Sequence, residues 1–525
     1  MPMIIPTTKK LSKLQNDLPL NFVPLSFHSD ADITGIQFDS RKVLPGNLFV
    51  ALCGDSADGH DYIPTAIAKG AAAVVGTRDL ILTVPYIKVD DSREALAHLA
   101  ASFYDHPGRK LTVIGVTGTD GKTTTSNLLF QILKTAGIKA GLVSTVNAVI
   151  GDEVIDTGFH VTTPEATEVQ QLLARMVDAG LTHVVLETTS HGLAQHRVTG
   201  CEYDIAVVTN ITHEHLDYHG SYEGYRAAKA RLFTSLMETK EKPFGNPRLA
   251  VLNADDGAFE YLDGLVKGRK CSYSLQGKGT VNAASTRYSP VGTDFVVEVN
   301  KAIVSIHCNL PGDFNVSNCL AAFTAAVEGL GIDAEVAARG IASLPGVPGR
   351  MEVIDLGQPF SAIVDFAHTP NALLQAIETA RQLTHGRVIA VFGSAGLRDR
   401  QKRRMMAETS VKKADITILT AEDPRIESLD DILAEMADEA VKAGGVEGQT
   451  FFRVPDRGDA IRLAVKLAQP GDLVMPCGKG HEQSMCFGEV EYPWDDRTAL
   501  RAALSEYMHV RGPLMPVLPT STNSL

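Results

Sequence analysis

The stretch VIGVTGTDGKTTT, residues 113–125, constrains this chain more than any other. An apolar run, LTVIGV (111–116), leads into Gly118, Gly121, Lys122 and Thr123, and a helical pattern begins at once. Glycine lets backbone amides turn inward on phosphate oxygens, and the helix that follows adds its partly positive N-terminus. In such a cradle Lys122 brings charge to the β- and γ-phosphates and the Thr123 hydroxyl offers a ligand to Mg2+. Gly118, Thr119, Asp120, Gly121 and Thr124 complete the expected loop. Its spacing departs from a strict G-x-x-x-x-G-K-[ST] pattern, because Val116 holds the first glycine's place and Gly115 stands one residue early. A Gly-Lys-Thr turn without function is the competing explanation; the strand before it and the helix after it weigh against that.

The same strand–helix alternation runs through 525 residues, enough for about three or four domains with a core in each. A net charge of −13, from 49 Lys and Arg against 62 Asp and Glu, disfavours a nucleic-acid-coating role. Seven cysteines stand singly with no C-x-x-C pair, which argues against a zinc ribbon or a disulfide framework and for a reducing cytosol. No stretch reads as a signal peptide or a membrane span, so a cytoplasmic protein with small-molecule partners is expected, engaging neither nucleic acid nor membrane.

The expected fold class is α/β in three domains. Residues 1–107 read as a small N-terminal α/β domain, with Asp39-Ser40-Arg41, a Pro-Gly turn at 45–46 and the strand NLFVAL. Residues 108–345 read as a central P-loop domain with a parallel sheet. Its strands GLVSTV, HVVLE, DIAVVTN and RLAVLN are continuous apolar runs, as parallel strands covered on both faces are. After a β-rich stretch at about 270–308, residues 346–512 restart the pattern as a Rossmann-like α/β domain. The Pro/Ser/Thr-rich tail, 513–525, is expected to be disordered. Ligands of parallel sheets bind beyond the carboxyl ends of the strands. Polar residues gather there in both larger domains, so two sheets facing one cleft are expected.

Several constellations carry chemistry. Glu187 just past HVVLE is either a Mg2+ ligand or a helix-capping partner. TNITHEHLDYHG packs His213, Glu214, His215, Asp217 and His219 together. An H-x-H with acids suits zinc, but without a nearby cysteine and beside a phosphate loop Mg2+ is the better reading. Lys229, on the helix of GYRAAKARLF, would by local odds be a solvated lysine. The basic run Arg398 to Arg404 is either a solvated face or a carboxylate or phosphate clamp.

GVTGTDGKTTT, ETTSHGLAQHRV, TNITHEHLDYHG with the lysine of YRAAKARLF, PGDFNVSN, PGRME, DFAHTPN, and EDPR with GKGHE occur in an order that resembles the Mur ligase family. The resemblance covers about residues 30 to 500. DSRKVLPGNLFVAL…DGHDYI and the GKGHE ending narrow it to members that add the third peptide residue of the peptidoglycan precursor. It implies a cytoplasmic, monomeric, ATP-dependent amide ligase of cell-wall synthesis, and through that a part in cell shape and division. Its substrates would be ATP, a UDP-muramoyl dipeptide and a diamino acid.

By the same resemblance Lys122, Glu187, His215 and Lys229 are catalytic. Thr123 and Glu187 hold one Mg2+, His215 a second, and Lys229 is carbamylated to supply an anionic oxygen. Asn315, Asn318, Arg350, Asp365 and His368 contact the nucleotide, and Ser40 and Arg41 the uridine end. Thr162, Thr163, Thr189, Gln195 and Arg197 hold the muramoyl peptide, while Arg398, Asp423, Arg425, Gly478 and Glu482 receive the incoming amino acid. The chain departs from the family pattern in places. Asp120 stands for Asn, Thr188-Thr189 for a small-Ser pair, Phe366 for Tyr, GSAGLRD for GCGGDRD, and Glu422-Asp423 for Asp-Asn before Pro-Arg. Arg425 favours an acceptor with a distal carboxylate, hence meso-diaminopimelate, by a bidentate pair. Asp423 adds a charge that suits the bare ammonium of lysine or ornithine. A P-loop kinase or transport ATPase is the rival from another class; enzymes that add glutamate to folate or build cyanophycin are rivals within the family.

Overall fold

A computed structural model describes residues 8–18, 23–24, 30–54, 57–155, 163–212, 216–289, 292–299 and 302–521. Its central sheet has eleven strands among those residues. β1 (Thr112–Thr117) lies in the middle, flanked by β2 (His183–Glu187) and β3 (Ile205–Val208), all parallel. Each is buried along its whole length or nearly so, which is why their sequences are apolar runs rather than alternations. The β-rich stretch does not form a separate unit. Val281–Ser289 joins the sheet edge in parallel, and Gly292–Val299 and Ala302–Cys308 extend it antiparallel.

α1 (Lys122–Thr135) follows β1 and buries Leu128, Leu129, Ile132 and Leu133 completely. Each such burial contributes roughly 2 kcal/mol, so packing under the sheet, more than propensity, fixes the N-terminus of α1 where the loop needs it. α2 (Tyr222–Glu238) covers the opposite face through Tyr225, Leu232, Phe233 and Leu236.

The N-terminal sheet runs Val23–Pro24, Tyr86–Lys88, Ala73–Gly76, Asn47–Val50, Gly35–Gln37, with the last four parallel. In the C-terminal region β4 (Ser361–Val364), β5 (Val388–Phe392), β6 (Ile416–Leu419) and β7 (Leu473–Pro476) make a parallel core in the order β4-β7-β5-β6, with separate apolar clusters on the two faces. The tail departs from the expectation of disorder over residues 513–521. Leu518 is buried, Met515 packs on the C-terminal core, and Thr520 and Ser521 hydroxyls each donate to Asp456 Oδ2 at 2.9 Å. Residues 522–525 lie outside the described residues.

Candidate active site

The glycine loop is held from below by the end of β3. Asp120 N–H donates to Asn210 Oδ1 at 3.0 Å, and Thr209 Oγ1 donates to Asp120 O at 2.6 Å. Gly118 packs so close that any Cβ would collide with Thr209 Oγ1, and Gly121, at φ +80, would drive one into Asn318 Oδ1. These two glycines are therefore required by space as well as by turn geometry. Lys122 folds back over the loop, its Nζ donating to Thr119 O at 2.8 Å and Gly118 O at 3.1 Å.

Glu187 caps no helix; that alternative reading falls to Thr189, whose hydroxyl accepts from Gly192 N–H. The Glu187 carboxylate is buried and accepts from Thr123 Oγ1 at 3.1 Å, Thr145 Oγ1 at 2.8 Å and Thr145 N–H at 3.0 Å. Thr123 and Glu187, 64 positions apart in the chain, thus share one point beside the loop. Lys229 is not a solvated lysine: it is 1% exposed, and its Nζ donates to Gly118 O at 2.6 Å and lies 4.5 Å from the centre of the Tyr225 ring. His215 and Thr162 lie outside the described residues, as do His213 and Glu214.

The C-terminal domain closes this point from above. Arg350 reaches down from it with Nη2 3.4 Å from Thr123 Oγ1, and its guanidinium stacks 4.3 Å over the Phe366 ring. Phe366 serves that stack without the hydroxyl a tyrosine would bring. Asp365 accepts from Met351 and Ala367 N–H groups at 2.8 Å; burial pushes its carboxyl up, against Arg350 and those amides. His368 Nδ1 donates to Phe366 O at 3.0 Å, and Asn371 Nδ2 approaches Asp120 Oδ2 at 3.4 Å. The result is a cleft of about 360 Å³ lined by Thr119 to Thr124, Glu187, Asn315 and Asn318 on one side and by Arg350, Asp365 and His368 on the other. Thr145, Asn210, Phe314 and Gln375 also line it and escaped the sequence reading; for Asn210 the signal was its place just past an apolar strand.

Beside Glu187 a second network gathers Thr163, Thr189, Gln195 and Arg197. Thr189 N–H donates to Thr163 Oγ1 at 3.1 Å, Arg197 Nη1 to Thr163 O at 2.9 Å, and Arg197 Nη2 to Gln195 Oε1 at 2.8 Å. Ser40 and Arg41 lie apart in the N-terminal domain, where Ser40 is buried and Arg41 is exposed and paired to Asp39 at 2.9 Å.

The third group sits at the ends of β6 and β7. Lys479 is fully buried and pairs with Asp423 Oδ2 at 2.9 Å and Glu482 Oε2 at 2.5 Å. Burial opposes its charge, but Glu482 and Asp423 together hold it above the ordinary lysine value. Arg398 is exposed and Arg425 is half-buried. The Arg425 guanidinium forms no ion pair among the described residues. Gly478, at φ +106, lies against Glu422, whose Oε2 a Cβ there would strike.

Glu422 is buried, its Oε2 has no hydrogen-bond partner among the described residues, and burial pushes its carboxyl up to about 7. Because the folded value lies above the ordinary 4.5, the protonated carboxyl favours the fold at low pH. That stability is lost as pH rises through about 7, by roughly 3 kcal/mol at most. The variant Glu422→Gln should therefore gain melting temperature relative to the parent between about pH 5 and pH 8, read by thermal melts at both ends. Parallel pH curves for the two proteins would contradict this.

A phosphate loop on a central parallel sheet, met across a cleft by a second α/β domain carrying Arg350, defines a P-loop nucleotide-dependent enzyme. Sequence comparison agrees in all three regions. The Mur ligase family catalytic domain matches residues 32–104, the Mur ligase middle domain 116–326, and the Mur ligase glutamate ligase domain 349–480. A UDP-N-acetylmuramyl-tripeptide synthetase from Roseiflexus sp. (strain RS-1) is 45% identical over 90% of this chain and 95% of its own length. A UDP-N-acetylmuramoyl-L-alanyl-D-glutamate–2,6-diaminopimelate ligase from Geobacillus thermodenitrificans is 41% identical over 95% of this chain and 99% of its own. A solved structure of a ligase of that second name superposes with a TM-score of 0.66 at 30% identity, covering 96% of this chain and all of that one. The chain belongs to the Mur ligase family.

Proposed function

We propose that this protein is an ATP-dependent amide ligase of peptidoglycan synthesis, joining meso-diaminopimelate to the D-glutamate of UDP-N-acetylmuramoyl-L-alanyl-D-glutamate. The observation that carries the reading is the shared cleft, where Lys122, Thr123 and Glu187 meet Arg350 from the facing domain. Relatives named for this ligation support the choice of substrates.

In this reading Lys122, the loop amides and the α1 N-terminus hold the ATP phosphates. The D-glutamate γ-carboxylate oxygen attacks the γ-phosphorus, ADP leaves, and an acyl phosphate forms. The neutral acceptor amine then attacks the acyl carbon, phosphate leaves with the C–O electron pair, and the nitrogen gives up one proton, to phosphate or water, as the amide forms. Negative charge converges at every stage, so fixed positive charge from Lys122 and Arg350 dominates the catalytic contribution of the chain. The oxygen-only donors Thr123 Oγ1 and the Glu187 carboxylate fit a hard cation such as Mg2+. Mg2+ bound there would neutralise phosphate charge. His215 would hold a second ion, and Lys229, buried against the loop, would contribute an anionic oxygen once carbamylated. A bicarbonate-dependent rate is the readout of that modification.

Thr163, Thr189, Gln195 and Arg197, with Thr162, would seat the muramoyl peptide; Ser40 and Arg41 the uridine end; Arg398, Arg425, Gly478 and Glu482 the acceptor. No helix among the described residues is long and apolar enough to cross a membrane; a cytoplasmic monomer is part of the proposal. The test compares diaminopimelate, lysine and ornithine as acceptors in one amide-forming assay. Diaminopimelate should give the highest kcat/KM, and a preference for lysine or ornithine would overturn the acceptor assignment.

A further inference from the structure

Asp423 presents the acceptor region with a charge of the wrong sign for a carboxylate, and the structure neutralises it internally. Its Oδ2 accepts from Lys479 Nζ at 2.9 Å, and its Oδ1 accepts from Lys479 Nζ at 3.1 Å and Cys486 N–H at 2.8 Å. The carboxylate cannot swing free, because its backbone is clamped as well. Asp423 O accepts from Gly396 N–H at 3.0 Å, Arg425 N–H donates to Cys486 O at 3.1 Å, and both Asp423 and Arg425 hold left-handed φ values, 40° and 54°.

We propose that Lys479 is the positioning residue for acceptor choice: by neutralising Asp423 and fixing its orientation, it leaves Arg425 as the charge that reads the acceptor's distal end. The inference rests on the ligase reading above. Lys479 pairs with both Asp423 and Glu482, so the Arg425 guanidinium, two residues from Asp423 and without an ion pair among the described residues, is the charge an incoming carboxylate would meet. Without Lys479 the carboxylates of Asp423 and Glu482 lose their shared buried partner, and like-charge juxtaposition penalises an incoming carboxylate and favours an ammonium. The acceptor class that suits the native arrangement is a diamino acid with a carboxylate at its distal centre.

The test measures kcat and KM for diaminopimelate and for lysine in the parent, Lys479→Gln, and Lys479→Gln with Asp423→Asn. In Lys479→Gln the kcat/KM ratio of diaminopimelate to lysine should fall on the order of tenfold to a hundredfold, mainly through the KM of diaminopimelate. Adding Asp423→Asn should restore the ratio, since removing the carboxylate removes the need for its partner. A purely structural lysine would lower both acceptors equally and would not be rescued; an unchanged ratio therefore overturns the proposal. If Lys479→Gln alone does not fold, the charge-balanced pair of Lys479→Met with Asp423→Asn decides: retained preference for diaminopimelate supports the proposal and loss of preference overturns it. A parent protein that joins neither acceptor overturns the ligase reading itself, whereas a parent that joins diaminopimelate while Lys479→Gln keeps its ratio overturns only the role of Lys479.

Discussion

Lys122→Ala should lower ATP-dependent amide formation on the order of a thousandfold while leaving the melting temperature within a few degrees of the parent. The lysine is only partly buried, with its Nζ over the carbonyls of Thr119 and Gly118 at the mouth of α1. In the proposed reaction it would supply a cation at the point where the transferred phosphoryl group develops and loses charge. The loss should appear in kcat more than in the KM of ATP, because the remaining loop amides and the helix terminus still bind the ground-state nucleotide. Phosphate-release kinetics with circular dichroism melts separate the two effects. A tenfold or smaller drop would place the reacting phosphate elsewhere.

Arg457→Met should destabilise the C-terminal domain by about 3–5 kcal/mol, moving its thermal transition down on the order of 10 °C. The Arg457 side chain is fully buried at the start of a helix, Arg457–Leu467. Its Nε and Nη2 donate to the two oxygens of Asp496 at 2.7 Å, and Asp496 Oδ1 also accepts from Trp494 Nε1 at 2.8 Å. Methionine fills much of the volume but leaves the Asp496 carboxylate buried without its counter-charge. The remaining guanidinium bonds reach Ala421 O at 3.1 Å and Cys477 O at 2.7 Å, one residue before Glu422 and Gly478. The acceptor KM should therefore rise together with the fall in stability, and Arg457→Lys should restore neither fully, because an ammonium cannot bridge the fork.

Much of this site was legible because its residues sit at ends of apolar strands. Lys122 follows β1 and Glu187 ends β2, and the alternation alone places them at one edge of a parallel sheet. Lys229 was not legible locally: its neighbours along the helix say only that one face is apolar. The decisive contact, Nζ to Gly118 O, spans 111 positions. Tyr225 is similar, its hydroxyl 3.0 Å from Thr119 Oγ1 across 106 positions. The partner of Asp423 is hidden in the same way: Lys479, whose Nζ donates to its Oδ2 at 2.9 Å, stands 56 positions away. The buried pair of Lys242 with Asp204 at 2.5 Å leaves no local sign, because lysine and aspartate in a loop read as solvated.

The most direct measurement is the release of ADP and phosphate from ATP with the two acceptors supplied separately and together. The account predicts rapid release only when both the UDP-muramoyl dipeptide and diaminopimelate are present, with one amide formed for each phosphate released. Rapid ATP turnover with neither, or a stable phosphorylated product without amide, would contradict it.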